Sequence, residues 1–260
     1  WKTKVEEYKQ KLKSAIKIQW SNLVKIDGRS DLYVYFYYAG LSLLHPNGIF
    51  CFINSDGWLN DDYGASLQEF LLKRMETLYI VDNQIKRSFK ESDIYTVIVC
   101  IKKPQVKRDN LIKFVVFKKP FEEVLTSNNL IEIEQSPKIK NTENFRVFPM
   151  TKKELLKDGV ESPGGKILIK EPEHLPYIGS KWGGKYLRAP MIFFKMLKKN
   201  KNNLVPLKRI AFIRTGIKES GFKSYISSRG KIMSSQNIKK FIPILKNPRF
   251  HSQVNILEHD

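Results

Sequence analysis

The sequence is short of acid. Against 46 lysines and arginines stand only 26 aspartates and glutamates in 260 residues, a formal charge of +20. Such an excess favours polyanions, because cationic side chains that neutralise phosphates release condensed counterions. Cysteine is scarce as well: Cys51 and Cys100 are the only two. Both fall inside apolar, strand-like runs, where buried reduced thiols are expected. His45, His174, His251 and His259 show no ligand spacing with one another or with cysteine, so no metal site is expected. No apolar run approaches the roughly 18–20 residues that span a bilayer, and the start lacks the pattern of a signal peptide. The expectation is a cytoplasmic protein without membrane association, and nucleic acid is preferred to anionic lipid because no basic amphipathic segment carries an anchor. Several catalytic signatures are missing too. There is no G-x-G-x-x-G, no Walker loop and no G-x-S-x-G. Glu7-Tyr8-Lys9 has the Glu-x-Lys of a magnesium nuclease, but no Pro-Asp precedes it and it sits on a solvated helix.

What is present is enough for a core. Hydrophobic residues make up 42% and aromatics 12%, and a chain of this length buries roughly 70–75% of its unfolded surface. Residues 1–26 place Val5, Tyr8, Leu12, Ile16, Trp20 and Leu23 at spacings of three or four, an amphipathic helix. Ser30 can cap a second helix whose Leu32, Phe36, Ala39 and Leu43 share a face, and His45-Pro46-Asn47-Gly48 ends it with a turn. Gly48 to Ile53 is nearly all apolar, as in a strand buried on both faces. A helix over 61–74 follows with Tyr63, Leu67, Phe70 and Leu71 inward, then strands over 77–81 and 94–101, and a strand at 111–117 expected at the sheet edge. Helix, strand, helix, strand in about 50 residues is the order of a doubly wound sheet. Prolines and Gly-Gly pairs punctuate 136–185, which reads as a connector. A helix over 190–199 and a basic, β-rich unit follow.

Read in order, these stretches carry a resemblance. Asp31-Leu32-Tyr33-Val34-Tyr35-Phe36, then Gly40-Leu41-Ser42-Leu43-Leu44-His45-Pro46-Asn47-Gly48, then Ile53 to Leu59, resemble the middle of a γ-class (Taq-like) adenine-N6 DNA methyltransferase, as in fused type II restriction-modification enzymes. Ser88-Phe89-Lys90-Glu91-Ser92-Asp93-Ile94-Tyr95 to Val99 resembles that family's loop and strand around the target base. Lys181-Trp182-Gly183-Gly184-Lys185-Tyr186-Leu187-Arg188-Ala189-Pro190 and Ile210 to Lys218 look like the start of its target-recognition domain. The family's glycine-rich cofactor loop and its catalytic Asn/Asp-Pro-Pro-aromatic are absent from the 260 residues. Both would precede Trp1, which agrees with a first residue already inside a helical pattern. Asn247-Pro248-Arg249-Phe250 has arginine in place of the second proline and reads as a recognition-domain turn.

The resemblance implies a fold and a site. The fold is α/β: part of a doubly wound, Rossmann-like methyltransferase sheet, followed by a smaller, mixed or β-rich basic domain. Residues 1–135 would be the C-terminal half of the catalytic domain, 136–200 a connector, and 201–260 the start of target recognition. Phe36 matches the aromatic beside the adenine of S-adenosylmethionine, although its periodicity alone reads as core. Phe89, among Lys86, Arg87 and Lys90, matches the ring that stacks on the extruded base. Arg214, Lys218 and Arg249 are candidate DNA contacts, and Trp58 is assigned to the core. No catalytic residue is expected in this fragment, which alone should be inactive and should not hold the cofactor. Its partners would be double-stranded DNA, the missing N-terminal part of the same chain, and a fused or separate endonuclease. The competing readings are a non-enzymatic nucleic-acid-binding module and a specificity subunit on a methylase-like scaffold.

Overall fold

The computed structural model describes residues 6–85, 94–105, 110–160, 174–200 and 203–205. The chain divides into two compact units, Trp1–Lys199 and Asn200–Asp260, and nearly all the described residues belong to the first.

The elements follow from local chemistry. Helix α1, Glu6–Gln19, starts with Glu6 and Glu7 and ends near Lys17, charges placed to oppose the helix dipole. Helix α2, Leu32–Leu43, is capped by the Asp31 carboxylate, which accepts from the Leu32 amide at 2.7 Å. Ser30, the cap expected from the sequence, is buried instead. The chain then reverses through Asn47 in the left-handed region at φ 66°, a conformation that asparagine tolerates. Strand β1, Ile49–Ser55, returns antiparallel to α2 and leads into 3-10 turns at Asp56–Leu59 and Asp62–Gly64. Helix α3, Ala65–Arg74, buries Leu67, Phe70 and Leu71 as their spacing requires. Strands β2 (Glu76–Asn83), β3 (Thr96–Lys102) and β4 (Leu111–Phe117) follow, then short helices α4 (Phe121–Val124) and α5 (Ser127–Glu134). Strands β5 (Lys140–Asn141) and β6 (Phe145–Thr151) join the same sheet. Helix α6, Lys152–Gly159, opens on a capping box between Thr151 and Glu154. Helix α7 spans Met191–Lys199.

The result is mixed α/β. Its six-stranded sheet has the order β1-β3-β2-β4-β6-β5. Strands β1 and β2, linked through α3, run in the same direction with β3 antiparallel between them; β2 is parallel to β4, and β6 is antiparallel to both β4 and β5. The segment over 136–160 therefore adds strands and a helix to the first unit.

Two expectations about burial are reversed. Strand β1 has β3 alone as a neighbour among the described strands, and its Ile49, Cys51 and Ile53 face outward while Phe50, Phe52 and Asn54 turn inward. The strand buried on both faces is β4, expected at the edge: Ile112, Phe114 and Val116 join the main core, and Val115 and Phe117 join a second cluster under α4 and α5. Both runs are apolar, so composition could not tell which one the sheet encloses. Cys51 is accordingly exposed and Cys100 half-buried, rather than both lying in the core.

Helix α2 is reversed in the same sense. Its buried side chains are Val34, Tyr35, Tyr37, Tyr38 and Leu41, whereas Phe36 is 55% and Leu43 83% exposed. The helix is apolar on nearly every side, so its periodicity could not choose the packed face. Gly40 sets how close it lies: a Cβ there would stand 2.5 Å from the Phe50 ring.

Candidate functional site

One end of the sheet gathers the chemistry. There β1 runs out into Asp56, β2 runs out into Asp82 and Asn83, and β3 begins just after Tyr95. The root of the β2–β3 connection is fixed on both sides. The Asn83 side chain accepts from the Ile85 amide at 3.0 Å and donates to the Lys119 carbonyl at 3.1 Å. On the return side, the Asp56 amide donates to the Tyr95 carbonyl at 3.0 Å. Helix α2 starts at this end too. The Tyr33 hydroxyl accepts from the Trp58 amide at 3.1 Å and lies 2.6 Å from the Tyr63 hydroxyl; burial, and then the Tyr63 hydroxyl, push the Tyr33 phenol well above its ordinary range. Phe36 is therefore one turn in from the sheet end that carries the roots of the β2–β3 connection. It is exposed on a helix whose other large aromatics point inward.

Arg188 closes the end of the sheet. It pairs with the Asp56 carboxylate and stacks over the Tyr95 ring, with 5.4 Å from guanidinium carbon to centroid. Asp82, 4% exposed, is pushed up by burial, an effect partly opposed by the Arg188 charge. Asp56, Asp82, Tyr95 and Arg188 thus form one cluster from four separate stretches. Sequence reading assigned none of them a role, because nothing in local spacing links residue 56 with residue 188.

The segment 177–190 reaches this position through a buried polar frame. Gln68, on α3 and 1% exposed, donates to the carbonyls of Trp58 and Ser180, both at 3.0 Å, and accepts from the Tyr177 hydroxyl at 3.0 Å and the Ser180 amide at 3.1 Å. Asp158 accepts from Ser180 Oγ at 2.7 Å and Tyr186 Oη at 2.8 Å, and pairs with Lys185. Burial alone would raise the Asp158 carboxyl, but these three donors hold it below the ordinary range. Gly183–Arg188 forms a π-helical turn whose last carbonyls are gathered by Arg146, at 2.7 Å to Ala189 and also to Leu187, with Gln84 adding a bond to Leu187 at 3.0 Å. Trp182, fully buried, packs edge-on against Trp58 and Phe114. Trp58 is itself fully buried.

Of the residues assigned to the cofactor, the target base or DNA, Phe36 alone is described. Phe89, Lys86, Arg87, Lys90, Arg214, Lys218 and Arg249 lie outside the described residues. Among the described residues no group of three or more His, Cys, Asp or Glu is placed to hold a metal ion, and no helix is long and apolar enough to cross a membrane.

Residues 4–89 match the Eco57I restriction-modification methylase family. The match runs from α1 to Phe89 and so takes in Phe36 and the end of β2. It covers about a third of the chain. Among solved structures, the chain is similar to the type IIG restriction endonuclease BpuSI, with 14% identity over 77% of this chain and 26% of that one and a TM-score of 0.47. It is similar to the EcoKI M protein, a type I restriction enzyme component, with 14% identity over 69% of this chain and 47% of that one and a TM-score of 0.34. A protein from Vibrio vulnificus YJ016, assigned as a modification subunit of a type I restriction enzyme, shows 16% identity over 62% of this chain and 33% of that one, with a TM-score of 0.40. The chain thus spans between a quarter and a half of these proteins. No curated protein matches it significantly.

Proposed function

We propose that this chain is part of an S-adenosylmethionine-dependent, site-specific DNA adenine-N6 methyltransferase of a restriction-modification system. The observation that carries the reading is the methylase-family match over residues 4–89, which ends in the connection that holds Phe89. Supporting it is the shared position of the first turns of α2 and the roots of that connection at one end of the sheet.

The residues present fit one side of the cofactor. Phe36 offers an exposed, flat, apolar ring suited to stack on adenine and exclude water from it. The chain has no glycine-rich loop to hold the rest, and the loop is proposed to come from a preceding segment, together with the Asn/Asp-Pro-Pro-aromatic that would hold the target amino group. When bound, S-adenosylmethionine supplies an activated methyl group. The protein's task is then positioning. Phe89 stacks on the extruded adenine and offsets the few kcal/mol lost in unstacking it, while Lys86, Arg87 and Lys90 face the flanking phosphates. Arg214, Lys218 and Arg249, in the basic segment proposed to read the target site, add contacts to the duplex.

The test is methylation by the full-length protein. DNA incubated with it and S-adenosylmethionine, then digested to nucleosides, should yield N6-methyl-2′-deoxyadenosine, and Phe89→Ala should lower that yield without changing the thermal midpoint. Methylcytosine instead, or an unaltered rate in Phe89→Ala, would overturn the assignment. Salt-sensitive DNA binding with no methyl transfer would favour a binding module or specificity subunit.

A further inference from the structure

The outward face of β1 carries a feature that the methylase reading does not use. Cys51 and Cys100, the only cysteines in the chain, are direct cross-strand partners in the antiparallel β1–β3 pair, and their sulfurs lie 2.9 Å apart. The ladder shows which kind of pair they form. The Lys103 amide donates to the Gly48 carbonyl at 3.0 Å, so the Ile49–Lys102 pair is enclosed by hydrogen bonds without exchanging them. Two residues along, Cys51 and Cys100 are again a non-hydrogen-bonded pair. In such pairs the Cα atoms approach to about 4.5 Å, within the roughly 4.4–6.8 Å that a disulfide requires. Side chains at these sites also lean toward each other across the strands.

We infer that Cys51 and Cys100 are a dithiol modification site that closes to an intrachain disulfide by exchange with a small-molecule disulfide such as oxidised glutathione. The two thiols have different parts. Cys51 is exposed and meets the reagent first: its thiolate attacks one sulfur of oxidised glutathione, expelling one glutathione and leaving a mixed disulfide. Cys100 lines an open apolar groove of about 550 Å³ with Tyr79, Val81 and Ile131. Burial there, then the neighbouring Cys51, push its thiol up to about 12. It therefore acts second, losing its proton to solvent as its sulfur attacks Cys51 Sγ and expels the second glutathione. Two protein thiols are oxidised and one glutathione disulfide is reduced to two thiols. The bond ties the outer strand to its neighbour at mid-length, between the turn at Asn47 and the Asp56–Tyr95 contact.

The experiment uses the full-length protein, folded, with a large excess of oxidised glutathione, followed by alkylation and peptide mass mapping. The expected product joins the Cys51 and Cys100 peptides with loss of two hydrogens. It carries no retained glutathione on either cysteine, joins two peptides of one chain, and recovers both thiols with dithiothreitol. Cys100→Ser should instead accumulate glutathione on Cys51, because the resolving thiol is gone. Full alkylation of both wild-type thiols after oxidation, persistence of a glutathione adduct on wild-type Cys51, or dimers whose linking peptides contain Cys51 or Cys100 would each overturn the inference. None of these outcomes depends on whether the protein methylates DNA.

Discussion

Gln68→Ala probes the frame that holds segment 177–190 against α3. The native side chain is buried and makes four hydrogen bonds, two to carbonyls of Trp58 and Ser180 and two from the Tyr177 hydroxyl and the Ser180 amide. A net hydrogen bond contributes about 1 kcal/mol, and a buried partner left unpaired costs about 1–3 kcal/mol. Alanine leaves four such partners behind. At about 1 kcal/mol for each of the four lost bonds a destabilisation of at least about 4 kcal/mol is expected, falling to about 2 kcal/mol if a water occupies the vacated space and recovers some of the bonds. The assay is urea unfolding followed by tryptophan fluorescence, since Trp58 and Trp182 flank the frame and pack against each other with ring centroids 5.9 Å apart. A second variant, Gln68→Glu, keeps the two acceptor functions and loses the two donors. It should lie at or below the alanine variant at neutral pH, because a buried carboxylate would face the Trp58 and Ser180 carbonyls. A loss below about 1 kcal/mol in Gln68→Ala would refute the reasoning: it would mean that the polar frame is solvated and that apolar packing alone holds the segment.

Further outcomes follow from the same geometry. Asp158, held below its ordinary range by Lys185, Ser180 and Tyr186 once their effect outweighs burial, binds fewer protons folded than unfolded in the acid range. Its contribution is therefore present above the unfolded carboxylate range, about pH 4, and is lost as pH falls through the lower folded value. Asp158→Asn should lower stability at pH 7 and flatten the acid limb of a stability–pH curve, and an unchanged limb would contradict the assignment. Phe36→Ala should leave the thermal midpoint nearly unchanged, because the ring is exposed, yet weaken cofactor binding by the full-length enzyme up to about tenfold, the equivalent of about 1.4 kcal/mol of lost stacking. Equal affinity in titration calorimetry would return Phe36 to an ordinary surface position. DNA affinity should fall steeply between low and moderate salt, in keeping with the +20 charge; a flat profile would remove phosphate contact as its basis.

How far the fold could be read from the chain differs from element to element. Helix α3 stands within a few residues of where its spacing puts it, because it mixes apolar and charged residues and so has one face that can be buried. Helix α1 is shorter than the expected 1–26: it ends at Gln19, before the left-handed Ser21 and Asn22, and Tyr8 and Leu23 of its expected face are exposed. Strands β1 to β4 stand within a few residues of their apolar runs, and the order helix, strand, helix, strand emerges as mixed α/β. The packed face of α2 was illegible: with Leu32, Tyr33, Val34, Tyr35, Phe36, Tyr37 and Tyr38 in succession, every side is apolar, and the tertiary packing selects Val34, Tyr35, Tyr37, Tyr38 and Leu41. Likewise β1 and β4 carry similar runs, and only the strand order decides which is enclosed. For the candidate site, Phe36 is singled out by resemblance alone, since its periodicity reads as core and the structure leaves it exposed. The cluster of Asp56, Asp82, Tyr95 and Arg188 was not legible, because its members come from distant parts of the chain.

By itself, then, the sequence determined what local forces can set: the periodic helices, the apolar strands, the turn at Asn47 and the polyanion-seeking charge. The tertiary structure decided what depends on long-range pairing. Gln68 meets Ser180 across 112 residues, Asp56 meets Arg188 across 132, and Cys51 faces Cys100 in the β1–β3 register. Such pairings depend on strand order and on helix placement over the sheet, which hydrophobic burial of the whole unit selects and no local pattern encodes.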